Sequence, residues 1–180
     1  MAKKELLIPA RITATVFQEF AAYDAMVRQK RWRGPMAFLL IFGILSALCY
    51  TQTQRLRGAW LLGTVLLAVG VGLPLAYFVN FYLSVKAQGQ KLGGEKAPIA
   101  YTVRLREEEI LAENGKEKMT LRWEQLHGAC RLSHSVCLYV SARQAYLLPG
   151  EAEEKEGREI WDWVSEHMPP EKRTDRVRVK

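Results

Sequence analysis

PMAFLLIFGILSALCYT at positions 35–51 and WLLGTVLLAVGVGLPLAYFVNFYL at positions 60–83 decide how this chain is read. Neither run contains a charged residue. Arg33 and Arg55 bracket the first, and Arg57 and Lys86 bracket the second. A bilayer core about 30 Å thick takes roughly 20 residues of helix, and a charge at its centre costs about 2.5–3.5 kcal/mol. The two runs therefore predict a transmembrane hairpin over 35–85. The competing reading is a pair of core helices in a soluble protein. Outside the hairpin roughly 130 of the 180 residues remain, too few to wrap two wholly apolar helices. The first run also begins too late for a cleaved signal peptide, and a second follows it.

Details of the runs fit the hairpin. Pro35 suits a first helical position, and Pro74 permits a bend in the longer second span. Trp32, Tyr50, Trp60 and Tyr82 fall near the expected interfaces, where aromatic residues concentrate. Arg28, Lys30, Arg31 and Arg33 precede the first span, and Lys86, Lys91 and Lys96 follow the second, whereas the connection holds only Arg55 and Arg57. This bias predicts a multi-pass protein with both termini in the cytoplasm. Gly43 and Ala47 share one face of the first span, and Ala68, Gly72 and Ala76 one face of the second. Such strips let helices approach closely in lipid. Packing of the two spans on each other is the expected use, and a dimerisation face is the alternative.

The chain carries 26 Lys/Arg and 19 Asp/Glu, a net charge of +7. The distribution argues against nucleic-acid binding. Residues 98–168 hold 9 basic and 13 acidic residues, a net of −4, so the basic excess lies beside the spans and in the tail. Three cysteines are too few for a disulfide framework, and reduced thiols are expected at Cys130 and Cys137.

Residues 1–34 read as a strand and an amphipathic helix. ELLIPARIT at 5–13 suits an edge strand, because Pro9 cannot donate to a ladder. A lone strand needs a sheet, and the only one on offer is C-terminal, so the two are predicted to pair. Thr15 with Gln18 fits a capping box, and Val16, Phe20, Tyr23 and Val27 follow at helical spacing. That helix either lies on anionic lipid or packs on the C-terminal module. Residues 86–97 (KAQGQKLGGEKA) read as a linker.

Residues 98–168 read as a small antiparallel β domain closed by a helix. Tyr101, Val103 and Leu105 alternate with polar residues, as do Met119, Leu121 and Trp123. Asn114-Gly115 signals a two-residue hairpin turn. Further strands are expected at 130–133, 136–140 and 146–148. A helix over 151–168 carries Ile160, Trp163, Val164 and His167 on one face and stops at Pro169-Pro170. The 169–180 tail is basic, and is expected either on anionic lipid or as a solvated end. Together these elements predict an α+β membrane protein.

RWEQL at 122–126, VCLYVSARQAYLLP at 136–149 and the Trp-rich closing helix carry a resemblance. With the paired spans before them, they resemble the YcxB-like family of bacterial membrane proteins. The resemblance implies a C-terminal PH-like domain and a bacterial plasma-membrane location. It covers nearly the whole chain. The family brings no established activity.

The sharpest chemical constellation is His127-x-x-Cys130 followed by His134-x-x-Cys137, a legitimate tetrahedral zinc set. In strands, residues three apart point to opposite faces, and Cys is often a small buried hydrophobe. No phosphate loop, nucleotide fingerprint or metalloprotease motif is present. No catalytic, cofactor or metal residue is therefore assigned. The expected function is a non-enzymatic, membrane-anchored binding or scaffold module, its partners being the bilayer and a protein or a second copy. The alternatives are a zinc- or thiol-dependent sensor or enzyme using the His/Cys set, and a small accessory subunit of a transporter.

Overall fold

Alternation of apolar and polar residues sets the first sheet. The structure is a computed structural model and describes residues 5–91, 100–115 and 117–177. Strands β1 (Glu5–Ala10), β2 (Tyr101–Arg106), β3 (Glu109–Asn114) and β4 (Glu117–Arg122) form an antiparallel sheet in that order. Val103 and Leu105 are fully buried while Thr102 and Arg104 are not, which is the period-2 pattern of a one-sided sheet. β1 pairs antiparallel with β2, with Ile8 opposite Val103, so the N-terminal strand joins the C-terminal sheet across nearly a hundred residues. Pro9 sits on its unpaired edge, where a missing donor costs nothing. Asn114 is the last paired residue, opposite Glu117, and Gly115 takes φ of 47°. The turn thus starts one residue later than expected, at the position that needs a positive φ.

The second sheet has the order β7-β6-β5-β8, from β5 (Gly128–Arg131), β6 (Ser135–Tyr139), β7 (Ala145–Pro149) and β8 (Arg173–Asp175). Its first three strands are antiparallel, and β8 adds parallel to β5. The part of the tail up to residue 177 is therefore docked, contrary to both readings of 169–180. Lys172 Nζ donates to the carbonyls of Glu124 and Leu126, and an Arg173 guanidinium nitrogen donates to the Ser165 carbonyl. Residues 178–180 lie outside the described residues. Tyr101 links the sheets: its hydroxyl donates to the Leu147 carbonyl at 2.9 Å and accepts from the Leu147 N–H at 2.7 Å.

Helix α4, Lys155–His167, closes the shared core with Ile160, Trp163 and Val164. It starts four residues later than its acidic lead suggests. Gly150 and Ala152 instead donate their N–H groups to His134 and Ser133, which holds 150–152 against the β5–β6 turn. At Gly157 an added Cβ would collide with the Glu151 carbonyl, so the lead folds back tightly there.

Helix α1 (Ala14–Ala22) is capped by Thr13, whose hydroxyl accepts the Val16 N–H, rather than by Thr15. Residues 14–20 pack on the β module: Val16 is buried, and the Phe20 ring lies 6.3 Å from that of Tyr139. These residues belong to the same compact unit as the sheets and the chain from residue 88 onward.

A second compact unit spans residues 21–87. A π-helical stretch, Tyr23–Arg28, is followed by α2 (Arg33–Thr51) and α3 (Ala59–Lys91). α3 runs on to Lys91, through the first half of the expected linker. Residues 92–97 of that linker lie outside the described residues. At about 1.5 Å per residue the two helices are about 28 and 50 Å long. Both are long and apolar enough to cross a membrane, and only 6% and 17% of their most apolar windows are buried. A core helix of a soluble protein would be mostly buried.

The two helices meet through residues other than those expected. The Ser46 hydroxyl, fully buried, donates to the Gly63 carbonyl at 2.7 Å, and the hydroxyls of Tyr50 and Thr64 are 2.9 Å apart. Gly70 lies against Phe42, where an added Cβ would sit 2.6 Å from the Phe42 Cβ. A Cβ on Gly43 or Gly72 would meet nothing within 4 Å, and Ala68 and Ala76 are exposed. The four-residue strips therefore face away from the helix–helix contact. Gly70 against Phe42, Gly63 against Cys49 and one buried hydroxyl make that contact instead.

Candidate functional site

Three segments converge on a cleft of about 790 Å³ in the β module. The β2–β3 turn brings Glu107 and Glu108, a single 3-10 turn (Trp123–Gln125) brings Trp123 and Glu124, and the last turn of α4 brings His167. The floor is aromatic. The His167 ring is stacked between those of Trp123 and Trp163, each centroid 5.0 Å away, at interplanar angles of 22° and 10°. Trp123 is fixed by its Nε1, which donates to the Arg106 carbonyl at 2.8 Å.

The tautomer of His167 follows from its partner. Nδ1 lies 2.9 Å from the Trp163 carbonyl, which only accepts, so Nδ1 carries the proton. In the neutral ring Nε2 is then an acceptor, in a side chain that lines the cleft.

The walls are negative. Glu107, Glu108, Glu109 and Glu124 line the cleft against one guanidinium, Arg122. Glu109 is engaged by Arg106 at 3.0 Å. That hydrogen bond, with Glu5 beside it, raises the Arg106 pKa further and keeps it charged. Glu107 and Glu108 are exposed at the turn tip. Carboxylates around an aromatic floor favour a cationic group, which gains from both charge and ring face.

The His/Cys set does not converge. Cys130 and Cys137 are directly opposed in the β5–β6 ladder and both are buried. His127 is exposed at the start of β5, and His134 sits half-buried in the β5–β6 turn. Among the described residues no group of three or more His, Cys, Asp or Glu is placed to hold a metal ion. The register explains this: antiparallel pairing puts the two thiols on one face, while both imidazoles fall beyond the strand ends.

His134 has a different role. The Glu19 carboxylate from α1 accepts the N–H groups of Ser133 and His134 at 2.8 and 3.0 Å, and His134 Nδ1 lies 3.1 Å away. His134 Nε2 is 3.8 Å from Glu151. Burial pushes the Glu19 pKa up, but the donors from Ser133 and His134 outweigh it and hold the pKa below the ordinary value.

In the sequence Glu107–Glu109 read as a solvated turn, and His167 is one residue of an apolar helix face. Their convergence with Glu124 spans 60 residues, and no local spacing signals it. No family model, curated protein or solved structure matches this chain.

Proposed function

We propose that this protein is a membrane-anchored, non-enzymatic binding module. The α2–α3 hairpin crosses the plasma membrane with both termini in the cytoplasm. The β module, a PH-like domain of the YcxB-like kind, presents its acidic cleft at that surface to a positively charged segment of a protein partner. The observation that carries the anchor is the exposure of two long helices whose apolar residues lack a protein covering: Leu40, Ile44, Trp60 and Leu61 are each more than half exposed. Such a surface is stable in lipid and aggregates in water. The Lys/Arg bias of the flanks supports the orientation. The −4 balance of residues 98–168 and the carboxylate walls of the cleft support a cationic partner.

The test uses full-length protein in lipid nanodiscs and a fluorescent arginine-rich peptide. Binding weakens with salt, as it does for exposed charges, and is lost in Glu107→Lys/Glu108→Lys/Glu124→Lys. Equal binding by that variant, or equal binding of an acidic peptide, overturns the assignment of the cleft. The outward small-residue faces favour a second reading, an accessory subunit or homo-oligomer. Gly72→Leu then changes the size of the complex in mild detergent.

A further inference from the structure

We propose that a groove between the start of α2 and the middle of α3 holds one acyl chain of an anionic glycerophospholipid, with the lipid phosphate on Arg31. The proposal rests on the membrane reading above and names one ligand within it. The groove has a volume of about 370 Å³. Its floor is apolar, formed by Phe38, Leu73, Pro74 and Tyr77, and Arg31 and Gly34 stand at its mouth. Pro74 lies inside α3, where it has no N–H to donate to the carbonyl four residues earlier.

The mouth is built to take an anion. Lys30 adopts φ of 52°, the left-handed turn that ends the preceding helix. The Arg31 N–H returns to the Ala25 carbonyl and the Arg33 N–H to the Lys30 carbonyl, both at 3.0 Å, so the turn is fixed by the backbone. Arg31 Nε donates to Gln29 Oε1 at 2.8 Å. That bond leaves the two terminal nitrogens, the pair that grips a phosphate side by side.

Charge selects the headgroup. From residue 25 to residue 94 the sequence holds eight Lys/Arg and no acidic residue. The nearest acid in the sequence, Asp24, is engaged by Arg28 at 3.1 Å and by Gln29. Lys30 and Arg33 stand beside Arg31 in sequence, so this stretch repels a cationic headgroup and draws in an anionic one.

The experiment is native mass spectrometry of full-length protein released from micelles containing equal amounts of dioleoyl phosphatidylglycerol and phosphatidylcholine. The expected result is one retained phosphatidylglycerol, preferred by about five-fold, as one near-surface cation provides. Arg31→Gln removes the preference. Gly34→Leu, at a position where an added Cβ meets nothing within 4 Å, fills the mouth and lowers retention of both lipids without forcing the helices apart. Equal retention of the two lipids by the wild type, or an undiminished preference in Arg31→Gln, overturns the proposal. Before purification, the membranes that hold the protein are washed with alkaline carbonate. A polypeptide that stays in the pellet but shows no preference sinks the groove alone. One found in the supernatant sinks the membrane reading and the groove with it.

Discussion

Replacing Glu19 with Ala removes three contacts that join α1 to the β5–β6 turn. The carboxylate accepts from the Ser133 N–H at 2.8 Å, the His134 N–H at 3.0 Å and His134 Nδ1 at 3.1 Å. A hydrogen bond to a charged group contributes about 1.5–3 kcal/mol. The three do not add in full, because Ser133 is exposed and His134 half-buried, so water replaces part of what is lost. The expected cost is about 2–3 kcal/mol. Glu19→Gln keeps one carbonyl oxygen as acceptor and costs less. The pH dependence follows from the lowered pKa of Glu19. The contribution is present above the ordinary value of 4.5 and is lost as pH falls through the lower folded value. Wild type and Glu19→Ala therefore converge in stability at acid pH. The assay is unfolding of the full-length protein in mild detergent, paired with amide exchange read at Ser133 and His134. A variant within about 0.5 kcal/mol of wild type at neutral pH, with unchanged exchange at those two amides, refutes the clasp.

Three further outcomes are expected. Gly70→Leu separates α2 from α3, because its Cβ alone would fall 2.6 Å from that of Phe42, whereas Gly72→Leu leaves the helix pair intact; crosslinking between the two helices distinguishes them. Tyr101, pushed up to about 12 chiefly by burial, stays un-ionised until strongly alkaline pH. Its raised folded pKa means that its contribution is complete below about 10 and disappears as pH rises through about 12, which ultraviolet titration alongside unfolding measures. Trp123→Phe loses the Nε1 bond to the Arg106 carbonyl and costs about 1–2 kcal/mol in thermal unfolding.

Much of this architecture is legible in residue order. Two uncharged runs bracketed by Arg33, Arg55, Arg57 and Lys86 fix the long helices. Alternation at Val103 and Leu105 fixes the sheet face, and Pro9 marks an edge strand that then needs a partner. What was not legible depends on contacts far apart in sequence. β8 is three residues, Arg-Thr-Asp, with no apolar alternation, and it exists because β5 offers it an edge. The helix–helix contact reads as Gly43 and Gly72 by spacing but forms at Gly63 and Gly70, since relative rotation of the helices is set by Phe42 and Ser46. Antiparallel register scattered the His/Cys set by facing the cysteines and leaving the histidines on loops. The cleft depends on Glu107, Trp123 and His167 meeting across 60 residues, which spacing does not encode.

The account depends on lipid surrounding α2 and α3, and partition of the full-length polypeptide measures this directly. After alkaline carbonate extraction of membranes the account predicts recovery in the pellet, released only by detergent. A monodisperse protein in detergent-free buffer would contradict it.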